Sequence, residues 1–324
     1  MPAFKKTPAF DTYWRFAYSR QEAFLSKYTT PAATSYSQDQ IISAHRFTNC
    51  YRVLDRVSQF LIKDVIYKEN NTEEDILFRI LLFKLFNKIE TWKLLSSALG
   101  EDIRWSSYSR PVYDSILSNA IKSNTRIYSA AYIMPSGKSI FGYERKHQNH
   151  LSLIESMMSS GIVGKISNSN NLEEVYNVFL DYPTIGPFLA YQLAIDVAYS
   201  ELTTATERDF VMPGPGAKDG IAKCFSGRAG KNDQYIIEYM YDQQEMEFER
   251  LSLDFKWIKG RKLQLIDCQN LFCEVDKYCR VYHPDISGIS GRTRIKQKYR
   301  PNPCAIELFF PPKWGVEPIF SHSA

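Results

Sequence analysis

Residues 180–200 read LDYPTIGPFLAYQLAIDVAYS. A helical pattern runs out near Tyr182, the chain turns through Pro183-Thr184-Ile185-Gly186, and a second helix opens on Pro187. Proline is favoured at the first helical position because the N–H it lacks would have no partner there. The turn presents backbone N–H groups at a helix N-terminus, a natural seat for an anion such as a DNA phosphate. A plain helix–turn–helix connection, common in all-α proteins, has the same local pattern. Local chemistry leaves both readings open.

Outward from this unit the dominant period is helical. The segment Asp39–Ile66 carries Ile42, Phe47, Tyr51, Leu54, Val57 and Leu61 at helical spacing. Thr72 with Asp75 resembles a capping box opening the next helix, and Gly100 is its stop. Further helices are expected over 109–134, 147–160, 171–181 and 187–200. The strand candidates are YIMPSGKSIFGY and CAIELFF, with hairpin turn chemistry over 135–146. Pro2, Pro8 and Pro31 mark the first 37 residues as an irregular arm plus one helix. The chain after about residue 284 reads as an extended tail. Repeats and linkers are not evident, so one all-α, bilobal domain over 1–324 with few short strands is expected.

The chain has 40 Lys and Arg against 36 Asp and Glu, a net charge of +4, and 44% hydrophobic residues. That composition excludes global disorder and a strong overall field. Charge is uneven: residues 254–300 hold eleven Lys/Arg and five acids, and RTRIKQKYR (292–300) holds five basic residues and no acid. A basic arm reaching phosphates fits that run better than a solvated tail. The 21 Tyr, 20 Phe and 5 Trp read first as core side chains and second as stacking partners for bases. No apolar run approaches the roughly 20 residues of a membrane span, and the N-terminus lacks a secretory pattern. The six cysteines are not needed as disulfides in a chain of this size, which suggests a reducing, cytoplasmic setting. Cys268, Cys273 and Cys279 lack metal-ligand spacing, so no metal is expected.

The stretch TERDFVMPGPGAKDGIAKCF (206–225) places Asp209 just before a Pro213-Gly214-Pro215-Gly216 loop, with Lys218 and Asp219 just after it. It lacks the phosphate-loop frame of nucleoside triphosphatases. It reads as a buried turn with solvated acids or as a carboxylate beside a phosphate-binding loop, an arrangement suited to chemistry at a sugar C1′. In NLFCEVDKYCR (270–280), Glu274 and Lys277 share a helical face with Asn270 one turn earlier. They form either an ion pair or a set that orients a base. Arg46, Asn49, Arg52, Asp55 and Arg56 pose the same choice between a buried network and a pocket wall.

YPTIGPFLAYQLAIDVAY resembles the helix-hairpin-helix of the base-excision DNA glycosylase superfamily, here spanning about 171–225. With HRFTNCYRVLDRVSQFL (45–61), FVMPGPGAKDGIAKCF (210–225) and NLFCEVDKYCR, most of residues 10–280 is similar to one branch. This is the α-glutamyl/putrescinyl-thymine pyrophosphorylase family, related to the helical domain of hydroxymethyluracil DNA kinases and to anti-phage glycosylases acting on glucosylated hydroxymethylcytosine. The resemblance implies a glycosylase-like fold on double-stranded DNA with modified bases, acting as a monomer without a cofactor. The leading expectation is a monofunctional glycosylase that flips and excises a bulky base in anti-phage defence. The alternative is a transferase that replaces the pyrophosphate of pyrophosphorylated hydroxymethyluracil with an amine. The implied catalytic acid is Asp209, with Asp219 as second candidate. Implied DNA contacts are Thr184, Gly186, Gly214, Gly216, Lys218, Arg292, Arg294, Lys296 and Lys298. The implied base pocket comprises Arg52, Asp55, Gln192, Asn270, Glu274 and Lys277. Two departures stand out: Thr184 replaces the first hairpin glycine, and Phe188 stands where bifunctional members carry a lysine nucleophile.

Overall fold

The computed structural model describes residues 4–31, 36–68, 72–100, 103–130, 134, 136–300 and 305–322. In chain order the elements are β1 (Lys5–Lys6), α1 (Pro8–Thr29), α2 (Gln40–Ala44), α3 (Arg56–Phe60), α4 (Glu73–Phe86), α5 (Ile89–Ala98), α6 (Arg110–Lys122) and α7 (Lys138–Phe141). There follow α8 (Lys146–Ser159), α9 (Ile162–Ser167), α10 (Leu172–Leu180), α11 (Pro187–Ala198), α12 (Pro215–Cys224), β2 (Phe225–Gly227), α13 (Asp233–Arg250), β3 (Trp257–Ile258), α14 (Leu265–Tyr282) and β4 (Phe320–Ser321). The fold is all-α with a few short strands, and it divides into two compact units, Met1–Asp55 with Val211–Ala324, and Arg56–Phe210. No helix among the described residues is long and apolar enough to cross a membrane.

In the first unit α1 packs on α14 and α12. Thr7 caps α1 through its hydroxyl, which accepts the Ala9 N–H at 3.2 Å. Tyr13 lies against Phe272 with ring centroids 4.7 Å apart, and its hydroxyl donates to the Cys268 carbonyl at 3.0 Å. Gly220 brings α12 onto α14 so closely that a Cβ there would lie 2.1 Å from the Phe272 carbonyl oxygen. The strands form two antiparallel pairs, β1 with β2 and β3 with β4. The largest fully buried side chains include Trp14, Tyr13, Tyr51, Tyr113, Tyr191 and Tyr199, so much of the aromatic content builds cores. The buried Cys50, Cys224, Cys268 and Cys279 are free thiols, as is the partly exposed Cys273. Burial raises all five pKa values, that of Cys273 to about 12.

In the second unit α4 and α11 are apolar almost all round and meet at the centre. A buried ion pair between them joins Lys84 to Asp196 at 2.8 Å, which gives Asp196 a structural role. The capping box of α4 forms as expected: Thr72 Oγ1 accepts from Asp75 N–H at 3.2 Å and Asp75 returns the bond at 3.3 Å.

Several elements differ from the sequence expectations. The stripe over 39–66 is not one helix. It breaks after α2 because the N–H groups of Thr48, Asn49 and Arg52 bond to the carboxylates of Glu274, Asp55 and Asp267 instead of helical carbonyls. It resumes as α3, which runs into a π-helical stretch at Leu61–Ile66. The helix opened by Thr72 breaks at Asn87, whose φ of 48° is left-handed. The helix expected over 109–134 runs from Arg110 to Lys122, and residues 131–133 of its expected end lie outside the described residues. In place of a hairpin over 135–146, α7 lies between Gly137 and Gly142, both left-handed. Residues 305–310 form no strand, and Cys304 lies outside the described residues. The N-terminal region is dominated by the 22 residues of α1, because its aromatic face has α14 and α13 to pack against.

Candidate functional site

The hairpin joins α10 to α11 in the second unit. Thr184 adopts φ 67°, the left-handed conformation that a glycine adopts at little cost and a β-branched residue resists. The turn therefore keeps a glycine-type backbone although the glycine is absent. Gly186 is the N-cap of α11, and no side chain caps that helix. A Cβ at Gly186 would meet nothing within 4 Å, and Gly186, Pro187 and Phe188 are exposed, so the start of α11 is open to a ligand. Lys165 stands over the Tyr182 ring at 5.9 Å, beside the turn. Gln192 is buried within α11.

The two candidate acids sit in different settings. Asp209 is exposed and closes a local turn: its Oδ2 accepts the Thr206 N–H at 2.8 Å and its Oδ1 the Thr206 hydroxyl at 2.6 Å. Asp219 is buried in α12, where Ser290 donates its N–H at 2.7 Å and its hydroxyl at 2.5 Å. It thus ties the loop after α14 to α12. Gly214 is the N-cap of α12 and is buried. A Cβ at Gly216 would lie 3.1 Å from the Cys273 sulfur, so its smallness serves helix packing. Lys218 is exposed on the first turn of α12.

Five of the six expected pocket residues fall in the first unit, on one loop and one face of α14. The loop 45–55 is clamped from three sides. Arg20 of α1 donates to the Thr48 carbonyl at 3.0 Å and to the Asn49 side chain. Asp55 Oδ1 accepts the Asn49 N–H at 2.9 Å. Glu274 accepts the Thr48 N–H at 3.2 Å and pairs with Lys277 at 2.5 Å. Asp267 accepts the Arg52 N–H at 2.6 Å while capping α14 through the Gln264 N–H at 2.8 Å. Lys277 also lies 5.3 Å from the Phe47 ring centroid. Asn270, half-buried, accepts from Gln269 one turn before Glu274.

Charge in this cluster is strained. Asp55 is pushed up to about 6, by burial first and by Glu274 as well, against the opposing pull of the Asn49 N–H, Arg20 and Arg52. A carboxylate with that value changes charge a little below neutral pH.

The basic segment runs along the same loop. His45 and Lys298 form an antiparallel bridge, Arg46 N–H donates to the Gln297 carbonyl at 3.1 Å, and Tyr299 N–H to Ala44 at 3.1 Å. Arg280 of α14 holds the Arg294 carbonyl at 2.9 Å. Arg292, Arg294, Lys296, Lys298 and Arg300 are all exposed, so this strip is docked on the first unit with its charges outward. One loop thereby joins the exposed basic strip to the carboxylates of Asp55 and Glu274. Arg20, Thr48, Asp267 and Ser290 were not singled out by sequence. The spacing of Gln264 and Asp267 at the start of a helix was the available signal for Asp267.

The sequence profile of the 5-hmdU DNA kinase helical domain matches residues 7–288. A 5-hmdU DNA kinase of Bacillus phage SP10 is 25% identical over 289 residues, covering 84% of this chain and 45% of the relative. The chain thus spans about half the length of that relative. No solved structure matches. The profile match covers α1 through α14 and every residue of the loop-and-α14 cluster, and the chain belongs to the family of the 5-hmdU DNA kinase helical domain.

Proposed function

We propose that this protein acts on a hydroxymethyluracil-derived base in DNA and exchanges the group carried on its methylene carbon. The observation that carries the reading is the loop 45–55, which bonds to the basic strip at His45 and Arg46 and to Glu274 and Asp55 at Thr48 and Asn49. The substrate class follows from kinship with a domain named for 5-hmdU DNA kinases. The fold is read as glycosylase-like, with the left-handed turn at Thr184 and the open start of α11 as a second phosphate contact on double-stranded DNA.

In the favoured reaction an amine nitrogen attacks the methylene carbon of a pyrophosphorylated hydroxymethyl group. The C–N bond forms, the C–O bond breaks, pyrophosphate leaves with the electron pair, and the proton released by nitrogen goes to Asp55. Lys277, held by Glu274, and Lys218 supply positive charge for the leaving pyrophosphate. Asn270 and Arg52 orient the base.

Hydrolytic excision of the base is the second reading. It assigns the chemistry to Asp209, for which a carboxylate at a developing sugar cation needs a water-poor setting. The exposure of Asp209 and its engagement with Thr206 favour transfer. Turnover of modified DNA by Asp55→Asn and Asp209→Asn separates the two. Transfer predicts a loss on the order of 10²-fold for Asp55→Asn and little change for Asp209→Asn. The opposite ranking overturns the assignment.

A further inference from the structure

A separate cavity of about 540 Å³ opens in the second unit. Three lysines line it, Lys63, Lys68 and Lys93, against one acidic residue, Asp64. Phe60 and the largely buried Trp92 supply aromatic surface, and Ser96 and Ser97 supply hydroxyls on the α5 side. Two features show a built wall. Lys63 and Asp64 sit on the π-helical stretch Leu61–Ile66, where Tyr67 N–H reaches back to the Ile62 carbonyl at 3.0 Å. Such stretches are rare and concentrate at functional sites. Beneath it the buried Arg79 donates to the Asp64 carbonyl at 3.1 Å and stands 5.5 Å from the Trp92 ring centroid. The guanidinium fixes the π-helical wall and the aromatic floor together.

From this lining we infer that the cavity binds a free nucleoside phosphate, independently of the reaction proposed above. The volume falls in the range of small-molecule sites. Three ammonium groups match a di- or triphosphate by charge. The aromatic surface suits a planar base. Asp64 and the serines can accept and donate to sugar hydroxyls. A bare phosphate would leave the aromatic floor unused.

The test is calorimetric titration of the full chain with ADP, inorganic pyrophosphate and a ten-nucleotide oligothymidylate. Lys63→Ala/Lys93→Ala is the variant, since both side chains are exposed, and its melting temperature is measured beside the wild type so that a loss of fold is told from a loss of the site. Saturable one-to-one binding of ADP, at least tenfold tighter than pyrophosphate and weakened at least tenfold in the variant, is the expected result. Equal affinity for ADP and pyrophosphate would overturn the nucleoside assignment. Unchanged ADP affinity in the variant, or no ADP binding at millimolar concentration, would overturn the site. Binding of the oligonucleotide alone through these lysines would make the cavity part of a nucleic-acid path and overturn a free ligand. Lys63→Glu, with the same expected loss, guards against compensation by solvent.

Discussion

Replacing Asp55 with Asn should make the protein more stable and less active at once. The carboxyl rises from its ordinary 3.8 to about 6 on folding, which corresponds to about 3 kcal/mol by which the folded state disfavours the charged form. Asp55 is only half-buried, so solvent screens part of this, and about half is a realistic share. Asparagine keeps an oxygen for the Asn49 N–H now bonded at 2.9 Å and gives up the charge-assisted part of that bond, up to about 1 kcal/mol. The net expectation at pH 8 is a gain of about 0.5–1.5 kcal/mol. The pH dependence carries the sign. Between roughly pH 4 and pH 6 the folded wild type binds more protons than the unfolded chain, so its stability falls as pH rises through that window and levels off above it. The variant lacks this component. Urea denaturation at pH 4 and pH 8, with the slope of the transition held common, reads the difference. A variant less stable than wild type at pH 8, or one with an unchanged pH profile, would show that the carboxylate is simply a structural cap for the loop and would remove its catalytic role.

Other outcomes follow from the same geometry. Thr184→Gly should stabilise by about 0.5–1 kcal/mol, since relief of a left-handed β-branched residue outweighs glycine's added freedom in the unfolded chain; thermal unfolding would show a rise of about 1–2 °C, and a fall would contradict the strained turn. Gly186→Val, whose side chain enters open space, should leave the fold intact yet weaken DNA binding by about tenfold or more through lost N–H contact with a phosphate, as read by fluorescence anisotropy. Replacing Arg292, Arg294, Lys296, Lys298 and Arg300 with Ala should weaken binding to all sequences alike and flatten the slope of log affinity against log salt by up to about 4; an unchanged slope would remove the strip from the interface.

Sequence reading located what local chemistry determines. The turn at 183–186, the helices on either side of it, the start of α12 at the PGPG loop and the helical block around Glu274 all carry their own stop and start signals, and all appear near the expected boundaries. The main failure has a tertiary cause. Residues 39–66 have helical spacing, yet Thr48 and Arg52 bond to acids 226 and 215 residues away, and no window of sequence contains such partners. The short helix α7 replaced a hairpin because Gly137 and Gly142, read as turn residues, serve as its two left-handed ends. For the site, the notable residues of the loop and of α14 were visible as polar positions among apolar ones. Their convergence, and the docking of the basic strip on His45 and Arg46, depended on tertiary contacts. The cavity at Lys63 was invisible because a π-helical stretch has no compositional signature of its own.

In the reaction proposed above, this protein exchanges a group on a modified base and leaves the glycosidic bond whole. Synthetic duplex DNA carrying pyrophosphorylated hydroxymethyluracil, incubated with the protein and a panel of amines, tests it by mass balance. The account predicts that one amine adds its mass to the polymer, less the pyrophosphate released, with every base still attached to its sugar. Release of the free modified base with an abasic site left in the strand would contradict the account and establish hydrolysis instead.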